Sequence, residues 1–321
     1  MRTLFMSCVP LFLMISGYLL KNKKLSKKYY FGLVKIIFIY VVASVTYYVL
    51  SIYFGYEQYD GLKHSVGLLL SFDMDTHAWY IEMYIGLFLI IPFLNIIYNK
   101  LDSKRKRQAL CITFIILTAL PAVLNSFNFS SGNIFDTIFN GSGKYTVLFP
   151  DWWRPIWPIT YYYLGSYLHD YPIKINKILN LAIVLIFIFA FGTYSYLVAH
   201  GAPLIWNEVQ WWWPINNVLV TCSIFNFFLL FKQKDKKTVG KSFIRGIANC
   251  CFAGFLVSAF FDNVEGQFLS SLNLCTPDKL IYYFPCTICN FICSIIIAFF
   301  ITVLFSLLLK CWKKISASKK K

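Results

Sequence analysis

Charged residues are scarce in this chain of 321 residues, and acidic residues are scarcer than basic ones. Only 14% of the residues are charged, with 14 Asp and Glu against 30 Lys and Arg, whereas 58% are hydrophobic. A soluble domain carries about 25% charged residues, which cover its surface. The shortage of charge excludes a soluble fold and predicts a protein that crosses the lipid bilayer several times.

The short motifs that mark many catalytic sites are also missing. The sequence contains no Gly-rich phosphate loop, no HExxH zinc motif and no GxSxG nucleophile elbow. Cys286, Cys289 and Cys293 recur on one helix face, but no His lies near them in the sequence. Small residues at a helix contact explain this pattern better than a metal site does, so no metal is predicted.

Long apolar runs fill most of the chain and predict membrane-spanning helices. The runs are too long for the strands of a membrane barrel, which would alternate apolar and polar residues. We predict one all-α, polytopic membrane bundle over residues 1–321. Its nine predicted spans cover residues 4–20, 29–54, 77–98, 109–125, 152–169, 178–199, 211–231, 243–261 and 280–309.

The basic residues follow the positive-inside pattern of membrane topology. All but five of the 30 lie in or beside the loops that follow every second span, or in the C-terminal tail. This pattern predicts a cytoplasmic C-terminus, and it explains the net charge of +16 without nucleic acid as a partner. The five exceptions are Arg2, Lys63, Lys144, Arg154 and Lys279.

An odd number of spans with a cytoplasmic C-terminus places Met1 outside the cell. A chain that starts outside with Met-Arg has little to direct its first segment across the membrane. The charge pattern therefore predicts that one preceding helix is missing.

The stretch His77–Asn99 contains the strongest candidates for catalysis. Glu82 is a carboxylate inside an apolar span, which is costly and by default suggests a function. Glu82 lies about 7.5 Å along the helix from His77 and about 140° around it, so the two form no dyad on one face. Trp79 and Glu82 do share a face. An interhelical bond for Glu82, for example with Arg154, and a solvated cap for His77 remain alternatives.

Two further groups suggest ligand contacts. The Trp residues concentrate at predicted outer ends, where they indicate either an interfacial belt or aromatic faces that stack on sugar rings. Lys28 and Lys35 are seven residues apart, on one helix face at the cytoplasmic boundary, with Lys27 beside them. These three lysines either set the topology of the protein in the membrane or bind a phosphorylated ligand.

Four stretches together resemble one family. They are VPLFLMISGYLL (9–20), HAWYIEMYIGLFLIIPFLN (77–95), WPITYYYLGSYLHDYPIKINK (157–177) and FAGFLVSAFFDN (252–263). In this order and at these spacings they are similar to acyltransferase family 3, membrane proteins that O-acylate polysaccharides, peptidoglycan and small sugars. The resemblance covers nearly the whole chain.

The resemblance implies an enzyme of the plasma membrane that moves an acyl group, expected to be acetyl, from acyl-CoA to a hydroxyl of an extracytoplasmic glycan. Acyl-CoA would be a donor substrate, and no bound cofactor is expected. His77 and Glu82 are the catalytic candidates of this chain. The implied contacts are acceptor binding by Trp79, Tyr80, Trp152 and Arg154, and binding of the CoA phosphates by Lys27, Lys28 and Lys35.

The chain departs from the family at its start. Family members begin with a helix that bears an Arg and a His taken to be catalytic, and SGYLL belongs to the next helix. The resemblance therefore implies that the first helix is missing and that the chain as given has little or no transferase activity. A flippase or transporter for a lipid-linked sugar is the alternative, although no internal repeat favours it. A non-catalytic glycan-binding partner is a third interpretation.

Overall fold

A computed structural model describes residues 2–130, 132–139, 147–199, 210–231 and 239–318, and no strand occurs in these ranges. Lys144 and most of the basic loop at 232–241 lie outside the described residues. The prediction of an all-α fold is confirmed. The helices are α1 (Arg2–Phe5), α2 (Cys8–Leu20), α3 (Lys27–Tyr30), α4 (Gly32–Tyr53), α5 (Leu62–Leu70), α6 (Ala78–Lys100), α7 (Lys104–Thr118), α8 (Leu120–Leu124), α9 (Ile134–Phe139), α10 (Trp157–Asp170), α11 (Lys177–Val198), α12 (Ile215–Leu229), α13 (Val239–Ser271) and α14 (Thr276–Ser318).

Within the described ranges, seven helical segments are long and apolar enough to cross a membrane. They are Arg2–Leu20, Lys27–Tyr53, Ala78–Lys100, Lys104–Leu124, Lys177–Val198, Ser242–Ser271 and Asp278–Cys311. The other two predicted spans correspond to α10 and α12, of 14 and 15 residues. At 1.5 Å per residue each rises about 21–23 Å, less than the ~30 Å of a bilayer core.

Proline-containing segments explain why α10 and α12 start later than expected. A short 3-10 helix over Arg154–Ile156 precedes α10, and Pro158 occupies its first turn. Pro214 in extended conformation precedes α12. Because proline lacks an N–H and restricts the residue before it, the Trp-rich segments before these helices do not join them.

The chain divides into two compact units, each built from two separate stretches. Unit 1 comprises residues 1–25 and 90–234, and unit 2 comprises residues 26–89 and 235–321. One of the boundaries between them, between Leu89 and Ile90, falls within α6. This division describes packing, and the single domain over residues 1–321 stays a prediction.

Unit 1 is centred on a close contact between α2 and α10, the helices that carry the SGYLL and LGSYL sequences. A Cβ at Gly17 would lie 2.0 Å from the Tyr162 carbonyl oxygen, and a Cβ at Gly165 would lie 2.0 Å from that of Met14. The Ser166 hydroxyl also donates to the Gly17 carbonyl at 3.1 Å. Small residues thus bring two helix backbones together, as they commonly do in membranes.

Unit 2 contains a buried cluster in which α4 and α13 meet the segment before α6. Its buried members are Tyr47, Tyr48, Met74, Ala259 and Phe260. This packing places the start of α6 beside the middle of α13. The candidate site of this unit lies there.

Candidate functional site

The turn before α6 is held by Asp75. Its Oδ1 accepts a hydrogen bond from the backbone N–H of His77 at 2.7 Å, and its carbonyl accepts from the N–H of Ala78 at 2.9 Å. A carboxylate in this position satisfies an N–H that the first helical turn leaves without a partner. Asp75 therefore fixes His77 at the helix start.

The ring of His77 makes two polar contacts, both with α13. Its Nδ1 lies 3.0 Å from the carbonyl oxygen of Phe255, and its Nε2 lies 3.4 Å from Oδ2 of Asp262. A carbonyl can only accept, so Nδ1 must carry a hydrogen. In neutral His77, Nε2 would then present a lone pair to the carboxylate. The contact between Nε2 and Oδ2 is therefore an ion pair only in the form of His77 that carries a hydrogen on both ring nitrogens.

Asp262 is oriented from the other side by α14. The Asn290 amide donates to Asp262 Oδ1 at 2.6 Å, and the Ser294 hydroxyl donates to Asn290 Oδ1 at 3.0 Å. The side chain of Asp262 is 50% exposed, whereas that of His77 is 24% exposed. Hydrogen bonds thus link Ser294 and Asn290 to Asp262, and the half-exposed carboxylate of Asp262 lies at ion-pair distance from His77.

A second carboxylate, that of Asp75, contacts the same histidine. The residue is only 3% exposed, and its Oδ2 has no hydrogen-bond partner among the described residues. Burial raises the pKa of Asp75 to about 6, although the backbone N–H and the charge of His77 oppose this rise. Asp75 therefore contacts the backbone of His77, whereas Asp262 lies beside its imidazole.

Asp75 and Asp262 were not among the sequence candidates. Asp262 lies just beyond the span predicted over residues 243–261, but α13 continues to Ser271. A carboxylate at the edge of an apolar run was the available signal. No local spacing links it to His77.

Glu82, the leading sequence candidate, is not part of this group. It lies on α6, and its side chain is exposed. Among the described residues, no hydrogen bond or ion pair joins its carboxylate to His77 or Asp262. The expectation that His77 and Glu82 form no dyad agrees with this placement, and a catalytic role for Glu82 stays a prediction.

The aromatic neighbours of His77 are placed by Phe255. The His77 ring stacks on Phe255 with centroids 4.7 Å apart and planes 14° apart. Tyr80 is buried and meets Phe255 edge-on at 5.4 Å, and Trp79 lies perpendicular to Tyr80 at 6.1 Å. Of the two predicted acceptor contacts on α6, only Trp79 retains appreciable exposure.

The lysines predicted to bind CoA lie on α3 and α4 of unit 2. Lys27, Lys28 and Lys35 are all exposed. None of them forms an ion pair with any described residue. Their positive charges are therefore available to an anion, which is compatible with both sequence interpretations.

The remaining predicted acceptor residues lie in unit 1. Trp152 is 90% exposed. The guanidinium of Arg154 lies 5.2 Å from the ring centroid of Trp213, and Trp211 and Trp213 stack at 5.0 Å. Arg154, Trp211 and Trp213 thus form a group at the predicted outer ends of α10 and α12.

Unit 1 also contains an ionic cluster around Asp170, at the C-terminal end of α10. Its carboxylate bonds to Lys21 through Oδ1 and to Arg107 at 2.7 Å through Oδ2, and the hydroxyl of Tyr98 lies 3.2 Å from Oδ2. Burial opposes ionisation, but hydrogen bonds from Lys21 and His169 and the charge of Lys21 hold the pKa of Asp170 below its ordinary value. This cluster ties α2, α6, α7 and α10 together.

Comparison with known proteins adds one positive finding. A family model described as an acyltransferase domain matches residues 1–311. No curated protein and no solved structure matches the chain. The match covers nearly all of the sequence, including every helix that contributes to the His77 and Asp170 groups. The chain belongs to acyltransferase family 3 and is a membrane acyltransferase by family.

Proposed function

We propose that this protein O-acylates a glycan on the outer side of the plasma membrane, with acyl-CoA, acetyl-CoA in the simplest case, as the donor. Family membership supports acyl transfer, and the seven long apolar helices support a multi-pass membrane protein. The donor, the acceptor and the side of the membrane come from the resemblance and from the distribution of charge.

The observation that supports a reacting site in this chain is the Asp262–His77 pair. Acyl transfer to a hydroxyl needs a base that removes the hydroxyl proton while the new C–O bond forms. The half-exposed carboxylate of Asp262 is oriented by Asn290 and lies beside His77 as a possible counter-charge, so it can accept this proton. When the C–S bond breaks, the same proton passes to the thiolate of CoA, and the pair returns to its starting state.

The contacts to the substrates are assigned by residue. In unit 2, Trp79 and Tyr80 are assigned to the acceptor, since aromatic faces suit sugar rings. In unit 1, Trp152 and Arg154 are likewise assigned to an acceptor, since a guanidinium also suits its hydroxyls. Lys27, Lys28 and Lys35 would contact the phosphates of CoA as point charges. Glu82 is assigned to the acceptor side of α6.

By the resemblance, a His on a helix that family members carry is the competing source of the principal base. The test is transfer of labelled acetyl from acetyl-CoA to membrane glycans, measured for the chain as given and for the chain extended at its N-terminus by a family helix with the Arg and the His. The resemblance predicts low activity without the extension and higher activity with it. Asp262→Asn should lower the higher of the two rates at least tenfold.

Asp278→Asn is the control, since it neutralises an exposed carboxylate of unit 2 near the start of α14. We expect it to retain more than half of the activity. Full activity of Asp262→Asn would place the base outside this pair, whether or not the extension is needed. If neither chain transfers acetyl while substrate moves across vesicles without acyl-CoA, the transporter interpretation replaces this one.

A further inference from the structure

The hydroxyl groups of α14 do not all bind the same kind of acceptor. Thr302 and Ser306 each donate to the backbone carbonyl four residues earlier in the helix, at 2.8 and 2.9 Å. This bond is the ordinary one for a serine or threonine inside a helix. Ser294 instead donates to the side chain four residues earlier, and its Oγ lies 3.0 Å from Oδ1 of Asn290. The hydroxyl of Ser294 therefore serves a side chain rather than the helix backbone.

The amide of Asn290 spans the gap between α14 and α13. Its Nδ2 donates to Oδ1 of Asp262 at 2.6 Å, and Glu265, one turn further along α13, interacts with the same side chain. An asparagine amide fills almost the same space when it turns by 180°, but only its nitrogen end can donate to a carboxylate. The oxygen end must then face α14, where the Ser294 hydroxyl supplies the donor that this oxygen needs.

Both of the residues behind Asp262 are buried. Asn290 is 9% exposed and Ser294 is 2% exposed. The two helices are close at this level, since a Cβ at Gly254 would lie 3.2 Å from Cδ1 of Ile295 and 3.8 Å from the carbonyl oxygen of Ser294. A buried amide oxygen that loses its donor bears the cost of an unmade hydrogen bond. The Ser294 hydroxyl therefore favours one orientation of the Asn290 amide over the other.

We propose that Ser294 is a positioning residue for Asp262 and that it acts through Asn290. The hydroxyl selects the orientation of the amide, and the amide holds Oδ1 of Asp262. The other carboxylate oxygen, Oδ2, then lies 3.4 Å from Nε2 of His77. The proposal deepens the proposed function and rests on it in so far as Asp262 is the base of the transfer.

A double-mutant cycle measures this connection without turnover. Thermal unfolding of the full chain in detergent is recorded for Ser294→Ala, for Asp262→Ala and for the double variant. In the wild-type background, loss of the hydroxyl should lower the melting temperature by about 2 °C or more. Once Asp262 is replaced by alanine, no carboxylate at this position requires the nitrogen end of the amide. Ser294→Ala should then lower the melting temperature by less than half as much.

Thr302→Val is the matched control, because it removes an α14 hydroxyl that donates to the backbone carbonyl of Ala298. It should cause the same shift, within about 0.5 °C, with and without Asp262→Ala. Asn290→Ala interrupts the connection at its middle and is the second background if Asp262→Ala folds poorly. The shift caused by Ser294→Ala should be reduced there as well.

Acetyl transfer by the more active of the two chains in the transfer assay provides the second measurement. Ser294→Ala should lower kcat at least about threefold, while the KM for acetyl-CoA stays within about twofold of the wild type. The reason is that the hydroxyl affects the orientation of the base and not the binding of the donor. Thr302→Val should change neither constant.

Each outcome decides the proposal. Equal shifts by Ser294→Ala in all backgrounds would overturn it, because the hydroxyl would then act independently of Asp262. An equally reduced shift by Thr302→Val would overturn it too, since the reduction would be a general effect of Asp262→Ala. An unchanged kcat of Ser294→Ala would show that the orientation has no consequence for transfer. A reduced shift confined to Ser294→Ala, with no transfer by any chain, would confirm the connection and refute the proposed function instead.

Discussion

Replacement of Gly165 by alanine tests the contact between α2 and α10 on which unit 1 is built. The added Cβ would lie 2.0 Å from the Met14 carbonyl oxygen and 2.7 Å from the Met14 Cα. Ordinary contacts of this kind are about 3.5–4 Å long, so the helices must separate by more than about 1 Å. The atoms that it meets are backbone atoms, which no rotamer change can move away.

The cost can be worked out from the parts. Overpacking of a close contact costs about 1–3 kcal/mol, and separation would also weaken the Ser166–Gly17 hydrogen bond, worth about 0.5–1.5 kcal/mol. The higher helix propensity of alanine offsets up to about 1 kcal/mol of this loss of stability. We expect a net loss of about 2–3 kcal/mol in the free energy of unfolding, measured by denaturant titration in detergent micelles.

Gly266→Ala on α13 is the matched control, because its Cβ would meet nothing within 4 Å. That variant should be as stable as the wild type or up to about 1 kcal/mol more stable. Gly17→Ala should resemble Gly165→Ala, and the double variant should lose less than the sum, since one separation relieves both clashes. Wild-type stability of Gly165→Ala would show that the two backbones are not in contact.

Three further predictions concern charge. Asp170→Asn leaves Lys21 without its counter-charge and should cost about 3 kcal/mol in the same titration, whereas a cost below about 1 kcal/mol would mean that water solvates the cluster. The pKa of Asp75 rises from 3.8 to about 6 on folding, so the free energy of unfolding should fall by up to about 3 kcal/mol as the pH rises from about 4 to 6. Asp75→Asn should lack this dependence on pH. Melting temperatures that change equally with pH in the two proteins would contradict the prediction. Lys28→Gln combined with Lys35→Gln should raise the KM for acetyl-CoA severalfold at unchanged kcat, and an unchanged KM would leave these residues as topology charges.

The helical architecture was predictable because apolar runs report directly on the bilayer. A run of about 20 apolar residues has few alternatives to a membrane helix, and the basic loops between the runs set the topology. The ends of the helices were less predictable. The apolar run ends at Phe261, but α13 continues to Ser271 because polar residues can extend a helix beyond the apolar core of the bilayer.

The contact between α2 and α10 was only half predictable. Small residues such as Ser16 and Gly17 permit a close approach of the first span to another helix, but they do not identify that helix. The partner helix carries its own small pair, Gly165 and Ser166, and the structure shows that the two pairs meet. Sequence patterns mark surfaces that can pack closely, and the pairing of those surfaces depends on the whole fold.

The candidate site shows why a charged residue in a span is an incomplete criterion for function. By that criterion alone, Glu82 ranks above Asp262, because it lies deeper in an apolar run. The structure adds a second criterion, namely which groups contact the carboxylate. Asp262 has an amide donor on one oxygen and an imidazole near the other, whereas Glu82 has no ion-pair partner among the described residues. An oriented carboxylate beside an imidazole is suited to proton transfer, and that arrangement depends on helices that are far apart in the sequence.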